Sequence, residues 1–270
     1  MHLGVTLRNM GPQSQAATLR VCTCHAEASG FESIWITDHI AIPPDDAEGS
    51  GGRYTDPLTT LAWLGGFTSS IKLGTGALIL PYRPTLPTAK AIATVHELTG
   101  LRLLLGVGIG WMAAEFRALG IPRSVRARVS DEQLAFLGEC FDKPVVSLNG
   151  QPFIFDPRPS APPIYVGGQP PQAFERALRF GHGWLPMARS PEALAEDLVV
   201  FTRMAVDRGV PRGPVTVLAS ISLQDQGAAL AQIHAYRELG VERLICAVRY
   251  DEAAQYQRQL DELAMLSDRL

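Results

Sequence analysis

The chain has 270 residues, 46% of them hydrophobic and 19% charged, with a formal net charge of −3. That balance gives no general attraction to phosphate backbones or acidic lipid, so neither nucleic acid nor a membrane is expected as a partner. No apolar run reaches the roughly 18 residues of a membrane span, and Met1-His2-Leu3-Gly4-Val5-Thr6-Leu7-Arg8 is not a charged leader followed by an apolar stretch; a soluble, cytoplasmic protein acting on a small molecule is expected.

In chain order, residues 2–7 predict a first strand, and helical spacing over 15–28 stops at Ser29-Gly30. Ser33-Ile34-Trp35-Ile36-Thr37 reads as the second strand, followed by a loop holding Pro43, Pro44, Gly49, Gly51 and Gly52. Asp56-Pro57, an N-cap with proline at the first helical position, opens a helix to about residue 69. The third strand covers 72–80, a helix covers 85–99 up to Gly100, and the fourth strand covers 102–107. Helices over 111–119 and 129–141 follow, then an inserted hairpin over 145–163 turning at Asn149-Gly150. Ile164-Tyr165-Val166-Gly167 is the fifth strand, with its helix over 171–180. Residues 183–187 form the sixth strand, and Ser190-Pro191-Glu192 opens a helix ending near Gly209. Residues 215–223 and 241–248 are the seventh and eighth strands, followed by helices over 228–239 and 251–266.

The runs Leu103-Leu104-Leu105-Gly106-Val107-Gly108 and Ile71-Lys72-Leu73-Gly74-Thr75-Gly76-Ala77-Leu78-Ile79-Leu80 lack polar alternation. Such strands are buried on both faces, as in parallel sheets. Eight strands, each followed by a helix, predict a (β/α)8 TIM barrel, one domain over 1–270 with a short hairpin between the fourth and fifth strands. An open doubly wound sheet competes, but no G-x-G-x-x-G opens a helix after the first strand. In such a barrel the chemistry sits at the carboxyl ends of the strands.

Cys22, Cys24, Cys140 and Cys246 are read as buried or half-buried structural thiols. Cys22-Thr23-Cys24-His25 falls on a helix, where residues two apart face different ways, and no second ligand pair has zinc spacing; no metal is expected.

The second strand exits into Thr37-Asp38-His39. A histidine can give or take a proton, and an adjacent carboxylate can orient a ligand; alternatively Asp38 caps a turn and His39 packs under the next loop. The third and fourth strands exit through Gly74-Thr75-Gly76-Ala77 and Gly106-Val107-Gly108-Ile109-Gly110-Trp111. Small residues there leave room for something flat, or simply allow a bulge or close packing. Gly167-Gly168-Gln169-Pro170-Pro171 stands just before a helix, where free N–H groups make a phosphate cradle, or else forms an ordinary Gly-Gly loop.

These segments together resemble the luciferase-like monooxygenase superfamily of flavin- and F420-dependent enzymes. The similarity runs nearly end to end through Gly30-Phe31-Glu32-Ser33-Ile34-Trp35-Ile36-Thr37-Asp38-His39, Asp56-Pro57-Leu58-Thr59-Thr60-Leu61-Ala62, Leu73-Gly74-Thr75-Gly76, Leu80-Pro81-Tyr82-Arg83-Pro84, Leu105 to Trp111 with Glu115-Phe116, and Ile164 to Gly168. It implies a ring lying across the barrel mouth against a non-prolyl cis peptide, mapping to Gly76-Ala77. Asp38, Gly106, Gly108, Ile109 and Gly110 would contact the cofactor; Gly167, Gly168 and Gln169 would hold its phosphate; His39 and Asp38 would be the catalytic pair. Thr37-Asp38-His39 is closer to the F420-dependent branch than the Glu-His-His often seen in FMN-using relatives. F420 is therefore the expected cofactor, with FMN-dependent monooxygenation and non-catalytic cofactor binding as the alternatives.

The oligoglutamate tail of F420 calls for basic residues, for which Arg53, Arg83, Arg123, Arg126 and Arg128 are candidates. Trp111 stands where F420-linked sugar-phosphate dehydrogenases carry glutamate, which argues against that activity. His182-Gly183-Trp184 replaces a frequent Gly-Asp-Gly-Trp, and the linker over 141–149 is short. Dimers are common among such relatives, which makes a homodimer a candidate assembly, although nothing in the sequence itself reads out the oligomeric state.

Overall fold

The structure, a computed structural model, describes residues 1–267. Its strands are β1 (His2–Thr6), β2 (Ser33–Ile36), β3 (Lys72–Ile79), β4 (Leu103–Gly108), β5 (Val145–Leu148), β6 (Gln151–Ile154), β7 (Ile164–Gly167), β8 (Gly183–Leu185), β9 (Thr216–Ala219) and β10 (Arg243–Cys246). Its α-helices are α1 (Ala16–Ala28), α2 (Pro57–Gly65), α3 (Thr85–Leu98), α4 (Ala113–Ala118), α5 (Arg126–Asp142), α6 (Gln172–Phe180), α7 (Pro191–Asp207), α8 (Gln226–Glu238) and α9 (Ala253–Ser267). Eight strands pair in the order β8-β7-β4-β3-β2-β1-β10-β9, every ladder parallel. The two ends meet through bridges Trp184–Val215 and Met187–Leu218, the Leu218 N–H donating to Pro186 O at 3.0 Å. This is the expected TIM barrel, with β5 and β6 forming the separate antiparallel hairpin that turns at Asn149-Gly150.

The caps read from sequence hold. Asp56 accepts from Thr59 N, and Ser190 accepts from Ala193 N, each ahead of a first-turn proline. Helix α2 stops at Gly65, short of the predicted 69, where Gly65-Gly66 ends it. More consequential is α4, which begins at Ala113 and not at Trp111. Gly110 at φ +77° and an extended Met112 hold Trp111 off the helix.

Inside the barrel Trp35, Leu104, Tyr165, Leu185 and Ile245 pack as one cluster. Its floor is closed by Arg243, 2% exposed, which donates to both Glu32 oxygens at 2.7 and 2.8 Å and to the Tyr165 hydroxyl at 2.9 Å. A second apolar layer lies between the sheet and the helices.

Two glycines expected to leave room for a cofactor serve this packing instead. A Cβ on Gly74 would come within 2.3 Å of the Trp35 ring, and one on Gly106 within 2.1 Å of the Thr75 carbonyl oxygen. Cys22, Cys140 and Cys246 are buried, burial pushing their thiols up to about 11, 11 and 12, whereas Cys24 is exposed, correcting the expectation for that residue. His25 pairs with Asp261 at 2.8 Å, and no metal-ligating cluster exists among the described residues. No helix among them is long and apolar enough to cross a membrane.

Because the clash at Gly106 is with backbone, Gly106→Ala is expected to cost about 1–3 kcal/mol or more. Urea unfolding of the cofactor-free protein measures it. An unchanged midpoint would mean that Gly106 is not a packing residue.

Candidate active site

At the carboxyl ends of the strands lies a cavity of about 370 Å³. Thr37, Asp38 and His39 line it from the end of β2, and Gly76, Ala77 and Ile79 from β3. Gly108, Ile109, Gly110 and Trp111 come from the end of β4, and Gly167, Gly168 and Gln169 from the end of β7, with Met187 after β8. The structure thus brings together every residue expected to touch the ring, its phosphate or the reacting proton except Gly106, which packs against the Thr75 carbonyl. Gly76-Ala77 is a non-prolyl cis peptide, at the point where the β3–β4 register shifts between Thr75 and Leu78.

The β2 exit is shaped by Asn9, a buried side chain that donates to Thr37 O and Thr55 O and accepts from Thr37 N, at 2.8–3.0 Å. Beyond Thr37 the two chemical residues part company. The Asp38 carboxylate is 4% exposed and turned to Arg83, whose guanidinium donates to Oδ2 at 2.5 Å and Oδ1 at 2.9 Å, while Ile79 N–H donates to Oδ2 at 2.8 Å. Burial pushes the Asp38 pKa up, opposed by the Arg83 fork and the Ile79 amide. Arg83 also holds Asp56 at 2.9 Å. Asp38 is therefore a clasp that joins β2, β3 and α2, and not the acid–base partner expected of it.

The partner of His39 is Glu115, on α4. Its Oε2 lies 3.0 Å from His39 Nδ1 and accepts from the Tyr82 hydroxyl at 2.7 Å. Its Oε1 accepts from Ile40 N at 2.6 Å and Ala41 N at 3.1 Å. The Glu115 side chain is fully buried. Burial opposes its charge, but the two amides, the Tyr82 hydroxyl and His39 outweigh burial and hold the carboxyl below the usual range. A carboxylate only accepts, so Nδ1 must carry the shared proton and Nε2 is left to take or give another. Nε2 has no protein partner among the described residues. The His39 ring packs against Tyr54 (centroids 4.9 Å apart) and edge-on to Trp111 (6.1 Å, 84°). Glu115 stood in the sequence as part of a resemblance, with no spacing to link it to His39.

The phosphate corner also differs from expectation. Pro170 and Pro171 have no N–H, and Ala173 N–H at the start of α6 is taken by Gln169 O at 3.1 Å. Ahead of the helix, the amides of Gly168 and Gln169 have no acceptor among the described residues; Gly168 has φ +121°, where a side chain is disfavoured. Arg189, which sequence reading missed, donates to Gln169 Oε1 at 2.9 Å and pairs with Asp197 at 3.0 Å. A floor of small residues beside two unpaired amides and a cation fits a flat ring carrying a phosphate.

For an acidic tail, Arg83 is withdrawn into the Asp38 clasp, and Arg53 is bound to Ser14 in a separate groove. Arg126 donates to Arg123 O and Arg128 pairs with Glu132. Arg123, which opposes the upward push on the Tyr82 hydroxyl, is left near the Tyr82 side of the mouth.

In Glu115→Gln the amide oxygen has to stay with the two backbone N–H groups, so its NH2 faces His39. Nδ1 must then accept, and the proton moves to Nε2. Nitrogen-15 NMR of neutral His39 is expected to show the Nδ1–H tautomer in the parent and Nε2–H in the variant. The same tautomer in both would remove Glu115 from this role.

Residues 1–268 match the family model described as luciferase-like monooxygenase. The F420-dependent hydroxymycolic acid dehydrogenase of Mycobacterium tuberculosis is 33% identical over 220 residues, 76% of this chain and 59% of that protein, so the chain spans well under two thirds of that relative. Among solved structures, monooxygenase RslO1 from Streptomyces bottropensis superposes with a TM-score of 0.81 at 18% identity, covering 98% of both chains. An F420-dependent secondary alcohol dehydrogenase in complex with an F420-acetone adduct gives 0.79 at 16% identity, covering 96% of this chain and 97% of that one. With its barrel, its strand-end cavity and a family match over nearly its whole length, the chain belongs to the luciferase-like monooxygenase family.

Proposed function

We propose that this chain is an F420-dependent oxidoreductase that transfers a hydride between a deazaflavin and a small organic substrate, with His39 exchanging the accompanying proton. The observation that carries the reading is the His39–Glu115 pair: a fully buried carboxylate fixes Nδ1 and leaves Nε2 free beside a cavity floored by Gly76, Ala77 and Gly108. The similarity to a relative named as F420-dependent, and the Thr37-Asp38-His39 exit, favour the deazaflavin over FMN.

A deazaflavin bound here supplies a two-electron hydride carrier at the barrel mouth. The protein's part is to hold and orient it. The amides of Gly168 and Gln169, backed by Arg189, hold the phosphate, and Gly76-Ala77 and Gly108 let the ring approach the backbone. His39 Nε2 takes the substrate proton in oxidation and returns it in reduction, while Glu115 stabilises the imidazolium that forms in between. FMN-dependent monooxygenation is the second reading. It is favoured by the withdrawal of Arg83 into the Asp38 clasp, which leaves fewer cations for an oligoglutamate tail.

Titrating purified protein with F420 and with FMN, followed by fluorescence, separates the two: F420 is expected to bind and FMN to bind weakly. Tight FMN with no F420 reverses the assignment. His39→Ala is expected to keep cofactor affinity and slow turnover by about 10²-fold or more, the scale of a lost proton-transfer group. Unchanged turnover would take His39 out of the reaction.

A further inference from the structure

Two departures of this chain from the family pattern, His182-Gly183 and the short linker after Phe141, meet at one place. It is a cleft of about 460 Å³ at the amino ends of β7, β8 and β9, at the opposite end of the barrel from the strand-end cavity and larger than it. That volume is in the range of small-molecule sites. Phe141, Pro162, Pro163, Ile164 and Pro214 give the cleft apolar walls, and Tyr165 adds a buried ring. This end of a barrel serves stability, and stability favours side chains that fill space. The cleft is kept open instead. Gly138 lines it from the interior of α5, where glycine weakens a helix, yet a Cβ there would meet nothing within 4 Å.

Most of its polar groups are already paired. The Tyr165 hydroxyl accepts from Arg243 and donates to Glu242, both at 2.9 Å. The carbonyl oxygens of Pro163 and Pro214 accept from Leu105 N and Trp184 N at 2.8 and 2.9 Å, and His182 N–H donates to Ala177 O at 2.8 Å. The His182 ring is left over. Its nitrogens have no partner among the described residues, and it lies nearly parallel to the Phe180 ring (23°, centroids 6.4 Å apart). Burial pushes its pKa down to about 4, so at neutral pH the ring is uncharged, with one donor and one acceptor. Asp142, exposed at the rim, is the one formal charge among the described residues of the lining. It repels anions, and in water it attracts cations only weakly.

We infer that this cleft binds a small uncharged aromatic molecule with one hydrogen-bonding substituent. Its ring lies among Phe141 and the prolines, and its substituent meets the His182 imidazole. Proline and aromatic faces give a flat ring wide contact while losing little side-chain freedom. A charged group would give up hydration without gaining a counter-charge. The inference is independent of the hydride-transfer reading, because the cleft shares no residue with the strand-end cavity.

The test titrates phenol and toluene, two molecules of one shape, into the whole protein and follows amide and His182 ring resonances by NMR. Both are expected to shift the amides of Gly181, His182 and Gly183, phenol with a dissociation constant of about 1 mM or tighter. His182→Phe keeps a flat ring without the hydrogen bond. It is expected to weaken phenol about 5-fold and to leave toluene as tight or tighter. Gly138→Leu, a change the helix favours, is expected to abolish binding of both with an unchanged or higher thermal midpoint. The inference is overturned by the absence of any shift with phenol at about ten times that concentration, or by shifts confined to Gly108 and Gly168 at the other end of the barrel. Unchanged binding in Gly138→Leu, or phenol and toluene affected alike by His182→Phe, overturns it as well.

Discussion

The Glu115 carboxylate is buried where three segments meet, and the barrel mouth depends on how its oxygens are filled. The loop after β2 supplies the amides of Ile40 and Ala41 and the His39 ring, the turn after β3 supplies the Tyr82 hydroxyl, and α4 supplies the carboxylate. A charge without water is costly unless each lone pair finds a donor. Here four donors converge, so none of the three segments can shift without leaving a buried polar atom unpaired. The same contacts choose the His39 tautomer, so one interaction links the packing of the mouth to its proton chemistry.

The buried Asp38 carboxylate and half-buried Arg83 do comparable work from the other side. Arg83 spans Asp38 and Asp56, tying the β2 exit to the start of α2, and Ile79 N–H ties Asp38 to the end of β3 just beyond the cis peptide. With Glu115 under His39 and Arg83 over Asp38, the cavity is walled by neutral surface even though charged residues surround it. The lining accordingly presents Trp111 and Met187 to water, with no free carboxylate or guanidinium among the described residues that form it.

Much of this was legible in the sequence, because the barrel writes itself in local terms. Unbroken apolar strands, proline-started helices and glycine exits recur in order, and residues at strand ends had to converge once the strand count was right. What could not be read were the pairings across the mouth. Asp38 and His39 are adjacent, which suggested a couple, but neighbours leaving an extended strand point to opposite sides. Their partners, Arg83 and Glu115, lie 45 and 76 residues further along the chain. Glycine is ambiguous for a related reason. Gly74 and Gly106 are small because Trp35 and the Thr75 carbonyl press on them, whereas Gly108 and Gly168 border the cavity, and composition alone does not separate the two cases. The prolines before α6 were visible, yet the commitment of Ala173 N–H to Gln169 O became clear only in the structure.

The most direct test is a crystal structure of the protein grown with F420. The account predicts the deazaflavin ring seated against Gly76-Ala77 and Gly108, its phosphate on the amides of Gly168 and Gln169, and His39 Nε2 within hydrogen-bonding reach of the space above the ring, with Nδ1 still on Glu115. A ring bound elsewhere on the barrel, or His39 swung away from Glu115 when the cofactor is in place, would contradict it.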